Sequence, residues 1–249
     1  MLKFFLLASG SKGNSCIVED EHTSIVIDCG GPKRYLMDCF SKITYDHSKT
    51  KALFITHEHK DHIERLKMFD NIPTYAMCSL PIKHYNKVNA YDTIAIDTLA
   101  IRVIPTSHDT KDSCGFVVTS KQEKLVYMTD TGYISDEIKP YLINADFYVF
   151  ESNHDLEMLM KTDRPAFIKQ RIASDAGHLC NEDSAKALSE LVGENTKEIV
   201  LAHISEAGNS KSLAMQTLQQ AFQRQQINYE HIRMIAASQF EIVFGGKQQ

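Results

Sequence analysis

Four potential metal ligands lie within six consecutive residues of this sequence. They are His57, His59, Asp61 and His62, in the segment THEHKDH that begins at Thr56. Imidazole and carboxylate groups are the usual nitrogen and oxygen ligands of zinc and of its first-row neighbours. On an extended chain His57 and His59 project to the same side because they are two residues apart, whereas Asp61 and His62 are aimed differently. The segment therefore predicts ligands for two ions.

Other ionisable residues stand close to the ends of apolar runs that have the length of a strand. These residues are Asp28, Asp130, Glu151 and His203, together with His57 itself, and His108 has a similar place after Ile104 and Pro105. Taken singly, each is more simply interpreted as a solvated loop residue. Carboxylates and imidazoles that recur at strand ends are typical of a site at one edge of a sheet, so the set as a whole favours a metal site.

Periodicity and turn residues predict the elements that position these side chains. We expect strands at residues 2–8, 15–19, 52–55, 74–76, 92–96, 99–105, 115–119, 124–128, 145–150, 198–202 and 240–244, and one from residue 24 with Asp28 at its tip. We expect helices at residues 32–40, 63–69, 80–85, 183–192 and 213–224, with Asn181 as the N-cap of the fourth. No linker or low-complexity tract interrupts the chain, which predicts a single domain over residues 1–249 made of two sheets between helices.

The composition excludes several classes of function. The longest apolar runs are far shorter than a membrane span, so no membrane partner is expected. The N-terminal segment MLKF lacks the features of a signal peptide, and the six cysteines contain no CxxC pair. Both observations predict a cytoplasmic protein with free thiols. The net charge of −5 argues against a broad, non-specific DNA-binding surface, which normally needs an excess of Lys and Arg.

The order of the candidate ligands resembles the metallo-β-lactamase fold superfamily. The pattern is Asp28, then His57-x-His59-x-Asp61-His62, then His108, Asp130 and His203. This resemblance implies an α/β fold, an αββα sandwich of two mixed β-sheets flanked by helices, with two divalent metal ions at the edge of the sheets. Zinc is the expected metal and manganese the alternative, since histidine and carboxylate ligands suit both.

The resemblance also implies a role for each ligand. One ion would be held by His57, His59 and His108, and the other by Asp61, His62 and His203, with Asp130 as the bridge. Asp28 would hydrogen-bond a ligand or its neighbour. Two dications in such a site can clamp a phosphodiester and share a water.

The nearer resemblance is to the phosphodiesterase branch, which includes YycJ-type proteins and the transfer-RNA 3′ processing endonucleases. The segments that carry it are LASGSKGNS from Leu7, TDTGY from Thr129, FESNHD from Phe150 and GHLCNED from Gly177. It implies that His178 protonates the leaving oxygen while Glu151 holds its ring, and Asp61 is the third predicted catalytic residue. The alternative for His178 is a capping contact to the helix at residues 183–192.

Contacts to the substrate or to the ligands are expected from Ser9, Ser11, Asn14 and His154. For His154 an ordinary hydrogen bond near the site is an equal alternative. True β-lactamases use a cysteine near the position of the bridging Asp130, a pattern that Cys114 and Cys180 do not follow. Antibiotic hydrolysis is therefore excluded.

Two substrate classes stay open within this branch. YycJ-type proteins imply a 5′-to-3′ exonuclease on DNA, whereas the phage anti-Pycsar proteins, which share the ligand pattern, imply hydrolysis of cyclic CMP or cyclic UMP and so the removal of a host defence signal. A groove that tracks a strand normally needs basic residues and aromatic platforms. The acidic balance therefore favours the small cyclic nucleotide, although the cluster of Arg164, Lys169 and Arg171 could serve phosphate in either substrate.

Less favoured functions are a thioester or lactone hydrolase, and a metal-binding sensor without catalytic activity. The superfamily members nearest to this sequence are commonly homodimers, so a homodimer is expected. Nucleic acid remains the alternative partner to a small nucleotide.

Overall fold

A computed structural model describes residues 1–246 of the chain. The contacts divide the chain into two compact units. Among the described residues, the first unit comprises Met1–Pro105, Thr110–Lys124 and residues 239–246, and the second comprises Thr106–Asp109 and Leu125–Ser238. The single domain expected over residues 1–249 stays a prediction, and its last three residues lie outside the described residues.

Two seven-stranded sheets contain the strands of the described residues. The first sheet contains β1 (Lys3–Ala8), β2 (Ser15–Glu19), β3 (Ser24–Ile27), β4 (Thr50–Ile55), β5 (Thr74–Ala76), β6 (Asn86–Lys87) and β14 (Val243–Gly246), in the order β14-β1-β2-β3-β4-β5-β6. The second contains β7 (Thr93–Ile96), β8 (Leu99–Pro105), β9 (Cys114–Thr119), β10 (Lys124–Met128), β11 (Phe147–Glu151), β12 (Glu198–Ala202) and β13 (Arg233–Ala236), in the order β13-β12-β11-β10-β9-β8-β7.

Both sheets are mixed. In the first sheet β1, β2 and β3 pair antiparallel, whereas β3, β4 and β5 pair parallel. In the second sheet β7, β8 and β9 pair antiparallel, and β10 to β13 pair parallel. Every residue of β11 and β12 is buried, which agrees with the continuous apolar runs that parallel strands carry when both faces are covered. Two mixed sheets flanked by helices confirm the predicted fold class.

The carboxyl ends of neighbouring parallel strands bring the predicted site residues to an edge within each unit. Met128 of β10 lies beside Phe150 of β11, which lies beside Leu201 of β12. The residues that follow these strands therefore emerge together, and the carboxyl edge is where open α/β sheets bind their ligands. Three predicted site residues take positive φ there: Asp28 at 58°, Asp130 at 56° and His203 at 53°. Such left-handed backbone is uncommon outside glycine and often marks functional positions.

Seven α-helices are present in the described residues: α1 (Lys33–Lys42), α2 (Lys60–Ile63), α3 (Lys139–Leu142), α4 (Leu156–Lys161), α5 (Ala166–Ile172), α6 (Asn181–Leu191) and α7 (Lys211–Arg224). The helix expected at residues 63–69 is divided instead into α2 and a 3₁₀ turn at Leu66–Phe69. No helix within residues 1–246 is both long and apolar enough to cross a membrane.

Three further predictions of local structure are wrong or displaced. Residues 80–85 form no helix, although Leu80 is buried in a core cluster of the first unit and Ile82 and Tyr85 pack against that cluster. Their spacing, with intervals of two and three residues, does not place all three on one face of a helix. Asn181 is the first residue of α6 rather than its N-cap, because the Cys180 sulfur accepts the N–H of Asp183. The last strand begins at Val243 because Phe240 lies in a turn. The helices α3, α4 and α5 and the strands β6 and β13 were not expected.

Candidate active site

The carboxylate of Asp28 fixes the imidazole of His62 in the first unit. Both side chains are fully buried, and Oδ2 of Asp28 lies 2.8 Å from Nδ1 of His62. The backbone N–H of Thr56 donates to Oδ1 of Asp28 at 2.9 Å, and the Thr56 hydroxyl donates to Oδ2. Burial raises the pKa of Asp28, while His62 and Thr56 oppose that rise. A carboxylate on Nδ1 directs the other ring nitrogen, Nε2, away from Asp28, as is usual for metal-bound histidines, and Nε2 lies 2.9 Å from the side-chain nitrogen of Asn14.

The imidazoles of the segment that begins at Thr56 stand close together. The ring centroid of His57 lies 4.6 Å from that of His59 and 4.0 Å from that of His62. His57 follows β4, and His59 has the extended backbone of an N-cap at the start of α2, which contains Asp61 and His62. The segment therefore passes from a strand end into a helix, and the ring of His57 is close to the rings of both His59 and His62.

Asn14 joins the loop after β1 to two of these residues. Its backbone N–H donates to the Asp61 carbonyl at 2.8 Å. Its side-chain nitrogen lies 2.9 Å from Nε2 of His62 and 3.3 Å from Oδ2 of Asp61. The orientation of the amide is fixed because its oxygen accepts the N–H of Gly10 and its nitrogen donates to the Gly10 carbonyl. Asn14 thus contacts two predicted ligands, whereas Ser9 is buried and Ser11 is exposed.

Gln239 holds the same loop from the other end of the sequence, a role that the sequence analysis missed. Its side-chain oxygen accepts the N–H of Lys12 at 2.9 Å, its side-chain nitrogen donates to the Gly13 carbonyl at 2.9 Å, and its carbonyl accepts the N–H of Ser9 at 3.2 Å. The N–H groups of Ser9, Gly10, Lys12, Gly13 and Asn14 all donate within the first unit. The loop therefore braces the histidine segment and does not direct a row of N–H groups outward.

Four side chains converge in the second unit. One atom from each of Asp130, Glu151, His178 and His203 lies within 4.8 Å of all the others. Oδ1 of Asp130 lies 3.7 Å from Nδ1 of His178 and 3.5 Å from Nε2 of His203. Asp130, Glu151 and His203 are buried, and the His178 side chain retains 18% exposure. Buried carboxylates and imidazoles at this spacing are the donor set that zinc or manganese takes, so these residues fit a divalent metal.

Glu151 holds two imidazoles with one oxygen. Its Oε1 lies 2.7 Å from Nδ1 of His178 and 3.0 Å from Nδ1 of His203, and its Oε2 accepts the N–H of Thr131 at 2.8 Å. Burial alone would raise the pKa of Glu151, but His178 and His203 hold that pKa below its ordinary value. The carboxylate is thus ionised, and it orients both rings through their Nδ1 atoms.

His108 is held by the backbone of a neighbouring loop. Its Nδ1 lies 3.1 Å from the Gly177 carbonyl, and its Nε2 lies 3.2 Å from Oδ1 of Asp109 and 3.9 Å from Oδ1 of Asp130. Burial lowers the pKa of His108, an effect that Asp130 opposes. A neutral ring that donates from Nδ1 leaves Nε2 as a lone-pair donor, as metal ligation requires.

His154 is buried in the second unit, and neither of its ring nitrogens has a hydrogen-bond partner among the described residues. Its backbone carbonyl accepts the N–H of Asn181 at 2.8 Å. Burial lowers the pKa of the His154 ring to about 4, so the ring is neutral at pH 7. The neighbouring residue Asn153, to which the sequence assigns no role, contacts a predicted ligand: its side-chain nitrogen donates to the His203 carbonyl at 2.8 Å.

Each unit therefore brings together its own share of the predicted site. The first unit groups Asp28, His57, His59, Asp61, His62 and Asn14. The second groups His108, Asp130, Glu151, His178 and His203. The assignment of ligands to two ions, and the catalytic roles of Asp61, Glu151 and His178, stay predictions.

The family model described as Beta-lactamase superfamily domain matches residues 23–204. The chain belongs to this family. The resemblance read from the histidine segment and from the strand-end residues is thereby confirmed. All seven predicted metal ligands of this superfamily protein lie within the matched range. The loop at residues 9–14 and Gln239 lie outside it.

Two curated relatives of this superfamily protein are similar along most of their length. Exodeoxyribonuclease YycJ of Bacillus anthracis is 33% identical over 236 residues, which cover 89% of this chain and 89% of the relative. Exodeoxyribonuclease WalJ of Streptococcus pneumoniae is 33% identical over 233 residues, which cover 87% of this chain and 86% of the relative.

Two solved structures share the fold of this protein. The metallo-β-lactamase fold protein YhfI from Bacillus subtilis superposes with a TM-score of 0.70 at 16% identity and covers 98% of this chain and 99% of its own. The short form of human tRNase Z has a TM-score of 0.64 at 15% identity and covers 97% of this chain and 98% of its own. At these identities the similarity concerns the fold alone.

Proposed function

We propose that this superfamily protein is a metal-dependent phosphodiesterase that removes nucleotides from the end of a DNA strand. The contact between His178 and Glu151 supports phosphodiester chemistry, because it supplies an oriented proton donor beside Asp130. The relatives named exodeoxyribonuclease support DNA as the substrate, since they match this chain over nearly its full length.

The metal ligands proposed are those that the resemblance implies: His57, His59 and His108 for one ion, Asp61, His62 and His203 for the other, and Asp130 for both. Bound divalent ions would supply Lewis-acid activation of a water and charge stabilisation for the phosphoryl group. Asp28 supports this assignment by holding Nδ1 of His62, and Glu151 does so by holding Nδ1 of His203.

His178 has the features of a general acid. Glu151 occupies Nδ1 of the ring, so Nε2 is the nitrogen that can carry a proton to the substrate. When the oxygen of a water bonds to phosphorus and the bond to the leaving oxygen breaks, Nε2 of His178 donates its proton to the departing alkoxide. The negative charge of Glu151 stabilises the protonated ring before that transfer.

A second candidate function is the hydrolysis of cyclic mononucleotides such as cyclic CMP. The acidic balance of the chain, with a net charge of −5, favours this small substrate over a long polyanion. The sequence alone favours the cyclic mononucleotide over DNA, whereas the exodeoxyribonuclease relatives favour DNA. Thioester or lactone hydrolysis and a metal sensor without turnover have no such support.

A substrate panel at fixed metal concentration distinguishes these functions. The panel contains a 5′-phosphorylated DNA strand, cyclic CMP and bis-p-nitrophenyl phosphate, each assayed with manganese and with zinc. We expect cleavage of the strand and of the chromogenic diester, and loss of both activities in excess chelator. Cleavage of cyclic CMP but not of DNA would select the second candidate instead. Labels at either end of the strand determine the direction of digestion.

The variant His178→Ala tests the acid role on the same panel. A deoxyribose alkoxide needs a proton as it leaves, whereas p-nitrophenolate is a stable anion. We therefore expect kcat on DNA to fall about 100-fold or more, and kcat on the chromogenic diester to fall far less. His231→Ala, which changes an exposed histidine, serves as the matched control. Normal DNA cleavage by His178→Ala would show that this ring is not the acid.

The homodimer, the cytoplasmic location and the preference for zinc over manganese also stay predictions. Light scattering of the purified protein measures its oligomeric state. Metal analysis of protein purified without added metal identifies the bound metal.

The same metal analysis gives the number of ions bound, and a content near two ions per chain would support the two-ion assignment. His59→Ala should lose both bound metal and turnover, and an unchanged metal content in that variant would contradict the assignment.

A further inference from the structure

An apolar cleft lies on the surface of the second unit, beside the candidate active site. It has a volume of about 650 Å³ and is lined by Met160 at the end of α4, by Ala166, Lys169 and Gln170 of α5, and by Ala173 and Ser174 after it. Clefts of 300 to about 1,000 Å³ with mostly apolar walls and a few polar groups are typical of small-molecule sites. The proposed reaction assigns no role to these residues.

The two helices that contribute to this cleft carry exposed hydrophobic side chains, of which Met160 lines the cleft and Phe167 follows the lining residue Ala166. Phe167 is 69% exposed, Met160 is 53% exposed, and Leu156 is 46% exposed. All three belong to the short helices α4 and α5, which the chain inserts between Glu151 and His178. An exposed aromatic ring next to an apolar cleft is a surface on which a flat ligand can stack.

The charge of the same segment is opposite to that of the chain. Residues 160–171 contain four cationic side chains, Lys161, Arg164, Lys169 and Arg171, and a single anionic one, Asp163, although the net charge of the chain is −5. Lys169 donates to the Met160 carbonyl at 2.6 Å, which fixes its ammonium group at the wall of the cleft and leaves two further N–H donors. A fixed cation beside apolar walls suits a ligand that has both an anionic and an aromatic part.

The cleft is connected to the candidate active site through three contacts. Arg171 pairs with Asp109, the residue after His108, at 2.6 Å. The backbone carbonyl of Ser174 passes so close to Gly132 that a Cβ atom there would lie 2.6 Å from it, and Gly132 follows Asp130 by two residues. The N–H of His178 donates to the Ile172 carbonyl at 2.9 Å, at the end of α5. The segments that form the cleft therefore contact the loops that carry the groups proposed to act on phosphorus.

We propose that the cleft between α4 and α5 binds a nucleotide of a single-stranded DNA substrate next to the one that is cleaved. Phe167 and Met160 stack on the base, and Lys169 binds a backbone phosphate. The inference rests on the proposed function, because it names the part of the chain that distinguishes a strand from a mononucleotide. Stacking platforms combined with cations are the general means by which proteins bind single strands without sequence preference.

The test measures binding of the metal-loaded protein to fluorescent oligothymidylate of about twelve nucleotides, in which phosphorothioate linkages resist cleavage. Phe167→Ala should weaken the affinity about tenfold and leave its salt dependence unchanged, because stacking releases no counterion. Lys169→Gln should weaken the affinity and also reduce the slope of log affinity against log salt by about 0.7, the value for one lost phosphate contact.

Matched controls use exposed residues of the same unit that lie outside the segment. Ile143→Ala removes an apolar side chain that is 50% exposed, and Lys186→Gln removes an exposed charge. Both should bind the strand as the wild type does. Thermal unfolding shows whether Phe167→Ala and Lys169→Gln retain the fold.

Wild-type affinity in Phe167→Ala and Lys169→Gln would overturn the inference, as would an absence of strand binding by the unmodified protein. A change of oligomeric mass in Phe167→Ala with unchanged strand affinity would also overturn it, and would make a second copy of the chain the occupant. Failure of the proposed function is a separate result, since it would appear as an absence of bis-p-nitrophenyl phosphate hydrolysis by the unmodified protein.

Discussion

Nδ1 of His178 lies 2.7 Å from Oε1 of Glu151. The same oxygen lies 3.0 Å from Nδ1 of His203, and the carboxylate is fully buried. One side chain therefore orients both the ring proposed as the acid and a ring proposed as a metal ligand. The N–H of Thr131 holds the second oxygen, so the carboxylate cannot rotate toward one ring without losing that bond.

Glu151→Gln should reduce turnover of DNA about 100-fold. The amide keeps the shape of the side chain but lacks the charge that stabilises protonated His178. Its NH₂ group also replaces one of the two oxygens that accept from His178, His203 and Thr131, so at least one of these donors loses its acceptor. Metal affinity should fall by about tenfold or more, since outer groups that hold a ligand ring contribute that much. Steady-state kinetics and metal titration measure the two effects.

Glu190→Gln is the matched control, because Glu190 pairs with Lys139 on the exposed surface. It should change turnover and metal affinity little. Wild-type turnover in Glu151→Gln would contradict the role given to this carboxylate.

The candidate site was largely predictable because its residues follow strands. An apolar run that ends in Asp130, Glu151 or His203 indicates a buried parallel strand, and neighbouring parallel strands share a carboxyl edge. The sequence alone therefore predicts that these three residues lie close together. The histidine segment added the ligand chemistry, since no other segment of the sequence holds three histidines within six residues.

Other features left no signal in the sequence. Gln239 contacts a loop more than 200 residues away, and a lone glutamine in a turn gives no indication of that partner. The helices α4 and α5 were missed because the apolar residues Leu156, Met160 and Phe167 are exposed, so their spacing does not describe a buried stripe. The helix expected at residues 80–85 is wrong because Leu80, Ile82 and Tyr85 pack against the core from an irregular segment, and their spacing does not place them on one face of a helix.

Asp28→Asn should lower metal affinity about 10- to 100-fold with little change in fold. The asparagine can accept the N–H of Thr56, but it cannot supply a charged acceptor for Nδ1 of His62 as well. The ring is then free to adopt the other tautomer, which places its proton on the nitrogen intended for metal. Competition with a metal-binding dye measures the affinity.

Asp38→Asn is the control for this variant, because Asp38 is an exposed partner of Lys42 on α1. Equal metal affinities in Asp28→Asn and Asp38→Asn would show that Asp28 does not position His62.

Gly30→Ala should destabilise the first unit by about 2 kcal/mol or more. A Cβ atom at this position would lie 1.5 Å from the Asp61 carbonyl oxygen, so the backbone next to a predicted ligand has to move. We expect lower metal affinity as well as a lower melting temperature. Gly208→Ala provides the comparison, since its Cβ would meet its nearest neighbour at 3.4 Å. Similar melting temperatures for the two variants would contradict the close approach at Gly30.

The buried ring of His154 should make the protein less stable in mild acid. Burial lowers its pKa from 6.5 to about 4, although Glu151, Asp155 and Asp183 oppose that shift and His178 adds to it. The unfolded chain therefore binds a proton at this ring at a pH where the native protein does not. The stability associated with the neutral ring is complete above pH 6.5 and is lost as the pH falls toward 4. The loss amounts to at most about 3 kcal/mol.

His154→Gln removes this titration and keeps a polar side chain of similar length. We expect the free energy of unfolding of the variant to fall less between pH 7 and pH 4.5 than that of the wild type, when both are measured by urea denaturation in chelator. Other groups titrate in the same range and contribute equally to both proteins, so the difference between the two pH profiles isolates the ring. His231→Gln, at an exposed position, should retain the wild-type profile. Parallel profiles for His154→Gln and the wild type would mean that the ring is protonated as readily in the native protein as in the unfolded chain.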